Sequence, residues 1–382
     1  MSARKIAEWH GAGLIDAATR DRLVAYEAAH ARPLVLWAVW GIGALAIGLG
    51  CVSVIAANWE DIPGLVRLGV HLALIAGLLG LLFFREERLA ERSPWAVEAL
   101  AFIIAALGLT FFGHLGQVYQ TGSPLWQPLA MWLALFAPLL LLTGRSWPTA
   151  LAVLGGAVWA AWEYTTAPNG FRGDSSEFAR QLWLATVMTA PVGFAPLAAW
   201  SRTRGNRPDF WRRLEQLALA YAVGCASGTT AAAGSARFGT MTLTSEWASL
   251  MLAGGLAALA GIGVVLARPG TSGRMAGAII MGAGICVPLA YPLSGATVPA
   301  ALLFFALWGG IAAAALTAHW RGVFQVAVGV IALRLIILSF ELAADLLTSG
   351  FGLILAGLMI LGVAWLAVRV SKRFAPSPEP EA

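Results

Sequence analysis

The chain has 382 residues, of which 59% are apolar and only 12% charged, and its mean hydropathy is +0.75. Soluble domains carry roughly 25% charged residues, so this composition excludes a mainly water-exposed surface and fits a chain that faces lipid. The net charge of +5 then points to loops lying against anionic headgroups and not to nucleic acid.

Residues 1–33 are polar and mixed in charge and predict a small cytoplasmic helical hairpin. Ser2 can cap a first helix running through His10, and Gly11-Ala12-Gly13 stops it. Asp16 can cap a second helix reaching about Ala31. The first apolar run begins only at Leu34, too late and too long for a secretory signal, so no cleavable leader is expected.

Apolar runs then follow at 34–56, 65–84, 95–115, 125–143, 147–167, 181–200, 214–233, 247–267, 275–294, 297–317, 322–342 and 350–370. Each has about 20 residues, enough to cross about 30 Å of hydrocarbon at 1.5 Å per residue. The fold class is therefore all-α: a polytopic transmembrane bundle of about 12 spans over residues 34–373. A Pro- and Glu-rich tail, 374–382, is expected to be disordered.

Charge bears on the count independently. With the N-terminus inside, only Arg172, Arg180 and Arg237 fall outside, and Arg67 and Arg334 fall within spans. The other twenty of the 25 basic residues lie on the inner side. Such a bias predicts an even number of spans in a bacterial inner membrane, with both termini cytoplasmic.

A set of short motifs accompanies this pattern. Trp9, Gly13, Leu14 and Ile15 form W-x-x-x-G-L-I, followed by Tyr26 and the first span. Ala57-Asn58-Trp59-Glu60 with Ile62-Pro63 closes that span, and Gly116-Gln117-Val118-Tyr119-Gln120 closes the third. In their order and spacing these motifs resemble the bacterial predicted-membrane-protein family called domain of unknown function 2157, chiefly over the first 150 residues. The stretch from Arg334 to Asp345 is similar to the C-terminal region of that family, less specifically. The resemblance implies a bacterial multi-pass membrane protein and implies no activity.

No nucleotide-binding loop, nucleophile elbow, H-E-x-x-H or C-x-x-C motif occurs, so no catalytic residue is assigned. Cys51, Cys225 and Cys286 lie inside apolar runs and read as packing residues. The five histidines lack ligand spacing, so neither a metal nor another cofactor is expected.

The informative residues are polar groups at membrane depth. Arg334 lies about 18 Å along its span, where an ionised side chain normally faces protein or water. His71 falls in the same outer layer, with Arg67 one turn away on its helix. His114, Gln117, Glu163 and Glu341 also lie in outer halves of spans, whereas Glu98 and Glu215 lie near the inner edge, where they can snorkel. This asymmetry predicts a polar cavity opening outward, with Arg67, His71 and Arg334 as a basic wall and Asn58 and Glu60 at its mouth. The leading functional expectation is a transporter or permease-like protein for an anionic or polar solute. The alternative is a membrane scaffold or sensor engaging a cytoplasmic protein partner through the hairpin. A lipid-linked enzyme ranks below both, since no carboxylate pair or nucleophile–base set can be placed.

Overall fold

The computed structural model describes residue 6, residues 9–29, residue 46, residues 62–166, 177–205, 207–235 and 247–342, and scattered helical positions between 354 and 369. Almost all of the predicted span at 34–56, the Asn58–Glu60 loop, Asp345 and the C-terminal tail lie outside the described residues. The described part is helical, with no strand among those residues. The chain divides into two compact units, Met1–Arg67 and Leu68–Ala382.

In the first unit, a helical stretch at Trp9–Gly11 ends where the Gly13 N–H bonds the His10 carbonyl (3.1 Å) and the Leu14 N–H bonds the Trp9 carbonyl (3.0 Å). Gly13 has φ of +72°, the left-handed geometry this stop requires. Helix α1 (Ala17–Ala29) follows at once. Asp16 caps it, its Oδ1 accepting the Thr19 N–H at 2.8 Å. Hydrogen bonding from the side chain and the N–H of Thr19 holds the Asp16 carboxyl below its ordinary range.

The remaining helices are α2 (Gly64–Arg92), α3 (Pro94–Tyr119), α4 (Trp126–Thr143), α5 (Trp147–Thr166) and α6 (Glu177–Arg204). They are followed by α7 (Pro208–Ala233), α8 (Trp247–Ala267), α9 (Thr271–Ala290), α10 (Thr297–Thr317) and α11 (Arg321–Leu342). A 3-10 turn, Tyr291–Leu293, extends α9. Local chemistry sets several of these boundaries. Ser93 caps α3 by accepting the Trp95 N–H, with Pro94 in the first turn, where its missing N–H costs nothing. Gln120 ends α3 with φ of +51°, and His319 (φ +58°) ends α10.

Among the described residues, seven helical stretches, Gly64–Glu91, Trp95–Tyr119, Trp126–Thr143, Leu250–Ala267, Thr271–Leu293, Thr297–Thr317 and Arg321–Glu341, are long and apolar enough to cross a membrane. Large apolar side chains such as Phe83, Leu142, Leu266 and Leu302 are exposed along them, which suits lipid contact. Of the five other expected runs, those at 34–56 and 350–370 lie largely outside the described residues, and the remaining three, now α5, α6 and α7, are helical but less apolar. For α7 the reason is its setting. Its Ala218, Ala222, Ala226 and Thr230 are buried against neighbouring helices, where small residues favour close approach over hydropathy.

The main core of the second unit gathers α5 to α11, with Phe210, Leu214, Val264, Ile280 and Ile311 buried in it. Its tightest seam joins α8 to α9. A Cβ on Gly277 would stand 2.5 Å from the Gly261 carbonyl oxygen, and one on Gly254 would stand 2.7 Å from the Gly284 carbonyl oxygen. The two backbones therefore touch at points seven residues apart on each helix. The α3–α5 part packs large against small instead: Phe136 lies over Gly108, and Trp132 over Gly156. Trp132 also donates its indole N–H to the Ala105 carbonyl at 2.7 Å.

Candidate functional site

Polar side chains in the second unit gather in four places. The first is a corner at the arginine-rich end. Glu98 of α3 is 4% exposed. Its Oε1 accepts the backbone N–H groups of Arg145 (2.8 Å) and Ser146 (2.7 Å) and the hydroxyls of Ser146 (2.7 Å) and Thr149 (2.6 Å). This carboxylate thus caps the start of α5 from another helix, where the helix dipole also favours a negative charge. Arg207, just before α7, does the converse at the end of α4. Its Nη1 and Nη2 donate to the carbonyls of Gly144 and Leu141, each at 2.7 Å. Burial, with repulsion from Arg145, lowers the Arg207 guanidinium pKa, and Glu98 opposes that shift. Arg213 adds a bond to the Arg145 carbonyl and lies over the Trp147 ring.

The second place is beside this corner. Glu215 of α7, 3% exposed, receives Arg268 at 2.9 Å on Oε1 and Arg202 at 3.3 Å on Oε2. Neither Glu98 nor Glu215 snorkels as the sequence suggests, because arginines and first-turn amides of other helices reach them inside the protein. The two arginines and Glu215 line a cavity of about 790 Å³, together with Arg212, Gln216 and Ser272. Two smaller crevices, of about 240 and 330 Å³, are lined almost wholly by apolar groups such as Phe102, Trp132, Ile285 and Leu307.

The residues expected in an outer layer form two separate hydrogen-bonded groups, a histidine pair and Arg334 with Glu341. His71 of α2 and His114 of α3 meet, Nδ1 to Nδ1, at 3.2 Å. His71 Nε2 lies 3.0 Å from the Leu107 carbonyl, so it carries the proton that this bond requires. With both rings neutral, His71 Nδ1 is the acceptor and His114 Nδ1 the donor. Phe111 closes on His71 edge-to-face at 5.4 Å. Arg334 of α11 is 4% exposed. It donates from Nη1 to Glu341 Oε1 at 2.8 Å, two turns along its own helix. Its Nε and Nη2 are buried and have no hydrogen-bond partner among the described residues.

Of the other residues named from the sequence, Arg67 is half-buried on α2 in the first unit, and Gln117 is exposed at the end of α3. Glu163 accepts the Trp159 indole N–H at 3.0 Å within α5. Asn58 and Glu60 lie outside the described residues. The histidine pair joins α2 to α3, whereas the Arg334–Glu341 pair belongs to α11 alone. Among the described residues, no three His, Cys, Asp or Glu side chains stand close enough to hold a metal ion. Sequence reasoning missed the Arg202–Glu215–Arg268 triad. The available signal was an acidic residue near a span end in a chain whose neighbouring loops are rich in arginine.

The helices and their apolar outer faces define an all-helical, multi-pass membrane protein in contact with a lipid bilayer. Residues 7–149 match the model of the family described as Predicted membrane protein (DUF2157), which bears out the resemblance carried by the N-terminal motifs. The match takes in Glu98, the Arg145–Thr149 turn it caps and both histidines, and ends before Arg207, Arg213, the Glu215 triad and Arg334. No curated protein and no solved structure matches the chain significantly.

Proposed function

We propose that this protein is a permease-like protein of a bacterial inner membrane, taking an anionic or polar solute from the outer face. The observation that carries this reading is Arg334. Burying a guanidinium in a membrane helix is costly, and leaving two of its nitrogens without acceptors adds to the cost. A carboxylate or phosphate oxygen would satisfy Nε and Nη2 together, in the forked geometry arginine offers. The His71–His114 pair supplies a second basic station in the same outer layer.

The topology that goes with this reading has twelve spans, with both termini cytoplasmic. Support for counting α6 comes from Trp183 and Trp200, both exposed and about 26 Å apart along the helix, the spacing of two interfacial belts. The test is thiol accessibility in a background lacking Cys51, Cys225 and Cys286. Single cysteines at Ile331 and Leu338, which share the face of Arg334, should react with a membrane-impermeant reagent applied outside. An anionic solute should protect them. Failure to react from either side would remove the permease reading.

A second reading is favoured by the first unit, where Leu14 and Tyr26 are 72% and 62% exposed. Such side chains suit docking of a cytoplasmic protein, as a scaffold or sensor requires. Deleting residues 1–30 should then abolish partner capture while the membrane helices still insert. Unchanged capture would discard this reading.

A further inference from the structure

The cavity at the arginine-rich end is not one of the features that carry the permease reading, and its chemistry is graded with depth. At the mouth stand Arg202 and Arg268, both on Glu215, and Arg212, which pairs with Asp209 at 3.2 Å on the exposed rim. Three positive groups against two negative leave a net charge of +1 at the mouth. Arg202 and Arg268 each spend one nitrogen on Glu215, and a guanidinium carries five donors. Glu215 therefore orients two forks without neutralising them. Helix α9 begins here with no side-chain cap on Gly270, and α11 begins beside it at Trp320 and Gly322. The positive ends of both helix dipoles add to the arginines.

Deeper in, the character reverses. Ile279 lies two turns beyond Ser272 on α9, about 10 Å into the bundle, and Leu219 and Ile311 complete an apolar floor. A small hydrophilic anion would use the mouth and leave this floor exposed to water. An amphiphile with an anionic head would use both. The volume of about 790 Å³ exceeds what a lone phosphate needs and falls in the usual range for a ligand pocket. Trp147 and Trp320 line the same cavity, and tryptophan is the side chain favoured at headgroup level.

We propose that this cavity is a binding site for an anionic phospholipid. The phosphate sits among Arg202, Arg212 and Arg268, and the start of an acyl chain lies on Leu219, Ile279 and Ile311. The site is separate from Arg334, so it stands or falls independently of the permease reading.

The test uses the full chain in nanodiscs of phosphatidylcholine, with or without phosphatidylglycerol. Lipid retained after detergent extraction is counted by native mass spectrometry. The wild type should retain phosphatidylglycerol over phosphatidylcholine by about tenfold, as a charge-assisted contact allows. Arg212→Glu reverses a charge on the rim, where the side chain is half exposed. Gly322→Phe enters space in which a Cβ meets nothing within 4 Å. Both should retain the two lipids equally, while melting in pure phosphatidylcholine remains at the wild-type value. Equal retention by the wild type, or undiminished preference in both variants, would overturn the proposal. So would complete displacement of the lipid by inorganic phosphate, which would make this a site for a free anion.

Discussion

Glu98 and Arg334 are buried to the same degree, each 4% exposed, yet their surroundings differ. Glu98 accepts four hydrogen bonds from the start of α5. Among the described residues, Arg334 makes one ion pair, to a carboxylate that is itself 38% exposed, and keeps two nitrogens without an acceptor. The difference teaches how to read charge inside a membrane protein. A charge satisfied by its own protein is part of the framework. A charge left partly unsatisfied is held in readiness for something else.

Substitutions can break this contrast, and the largest effect belongs to the corner. Glu98→Ala strands two amides and two hydroxyls and should cost about 3 kcal/mol or more, seen as early thermal unfolding in detergent. Glu98→Gln keeps the shape and loses the charge, so it should cost less. Next comes the glycine seam. Gly277→Leu forces α8 and α9 apart and should cost about 1–3 kcal/mol as an overpacked contact, measured in the same way. Arg334→Met comes third and sharpens the comparison most. Its Glu341 partner is partly solvated, so losing the pair costs little, and stability should change by less than about 1 kcal/mol or rise. Anion protection of the neighbouring cysteines should vanish in the same variant. A large loss of stability in Arg334→Met would place Arg334 in the framework with Glu98.

The smallest effect lies in the first unit. Asp16→Ala should speed hydrogen exchange at the Thr19 amide and leave the membrane helices unchanged. The Asp16 carboxyl is held below its ordinary value of 3.8, so its cap is complete above that pH. The cap is lost as pH falls through the lowered folded value, and Thr19 protection should fall over the same window.

Helix positions were highly legible. The run expected at 297–317 is α10, and that at 247–267 is α8, because Gly, Pro and polar clusters interrupt an otherwise apolar chain at those points. The gap lies in which groups meet. Hydropathy gives the depth of Glu98 and Glu215 but not which helices face them, so both look able to snorkel. Placing His71 and His114 in one layer was possible from the sequence. Their direct contact depends on the rotation of α2 against α3, which a one-dimensional pattern does not encode. The glycines of the α8–α9 seam are visible as small residues, but only the backbone approach separates Gly277 from Gly282, where a Cβ would meet open space.

The Glu98 corner also bears on how the protein is assembled. Its members leave the ribosome at different times: Glu98 first, then the turn at Arg145 and Ser146, and Arg207 and Arg213 only after α5 and α6 have been made. Until then the α4–α5 hairpin has its carboxylate but not its arginines. The corner is a latch that closes late in synthesis, and a nascent chain that misplaces α6 leaves it open.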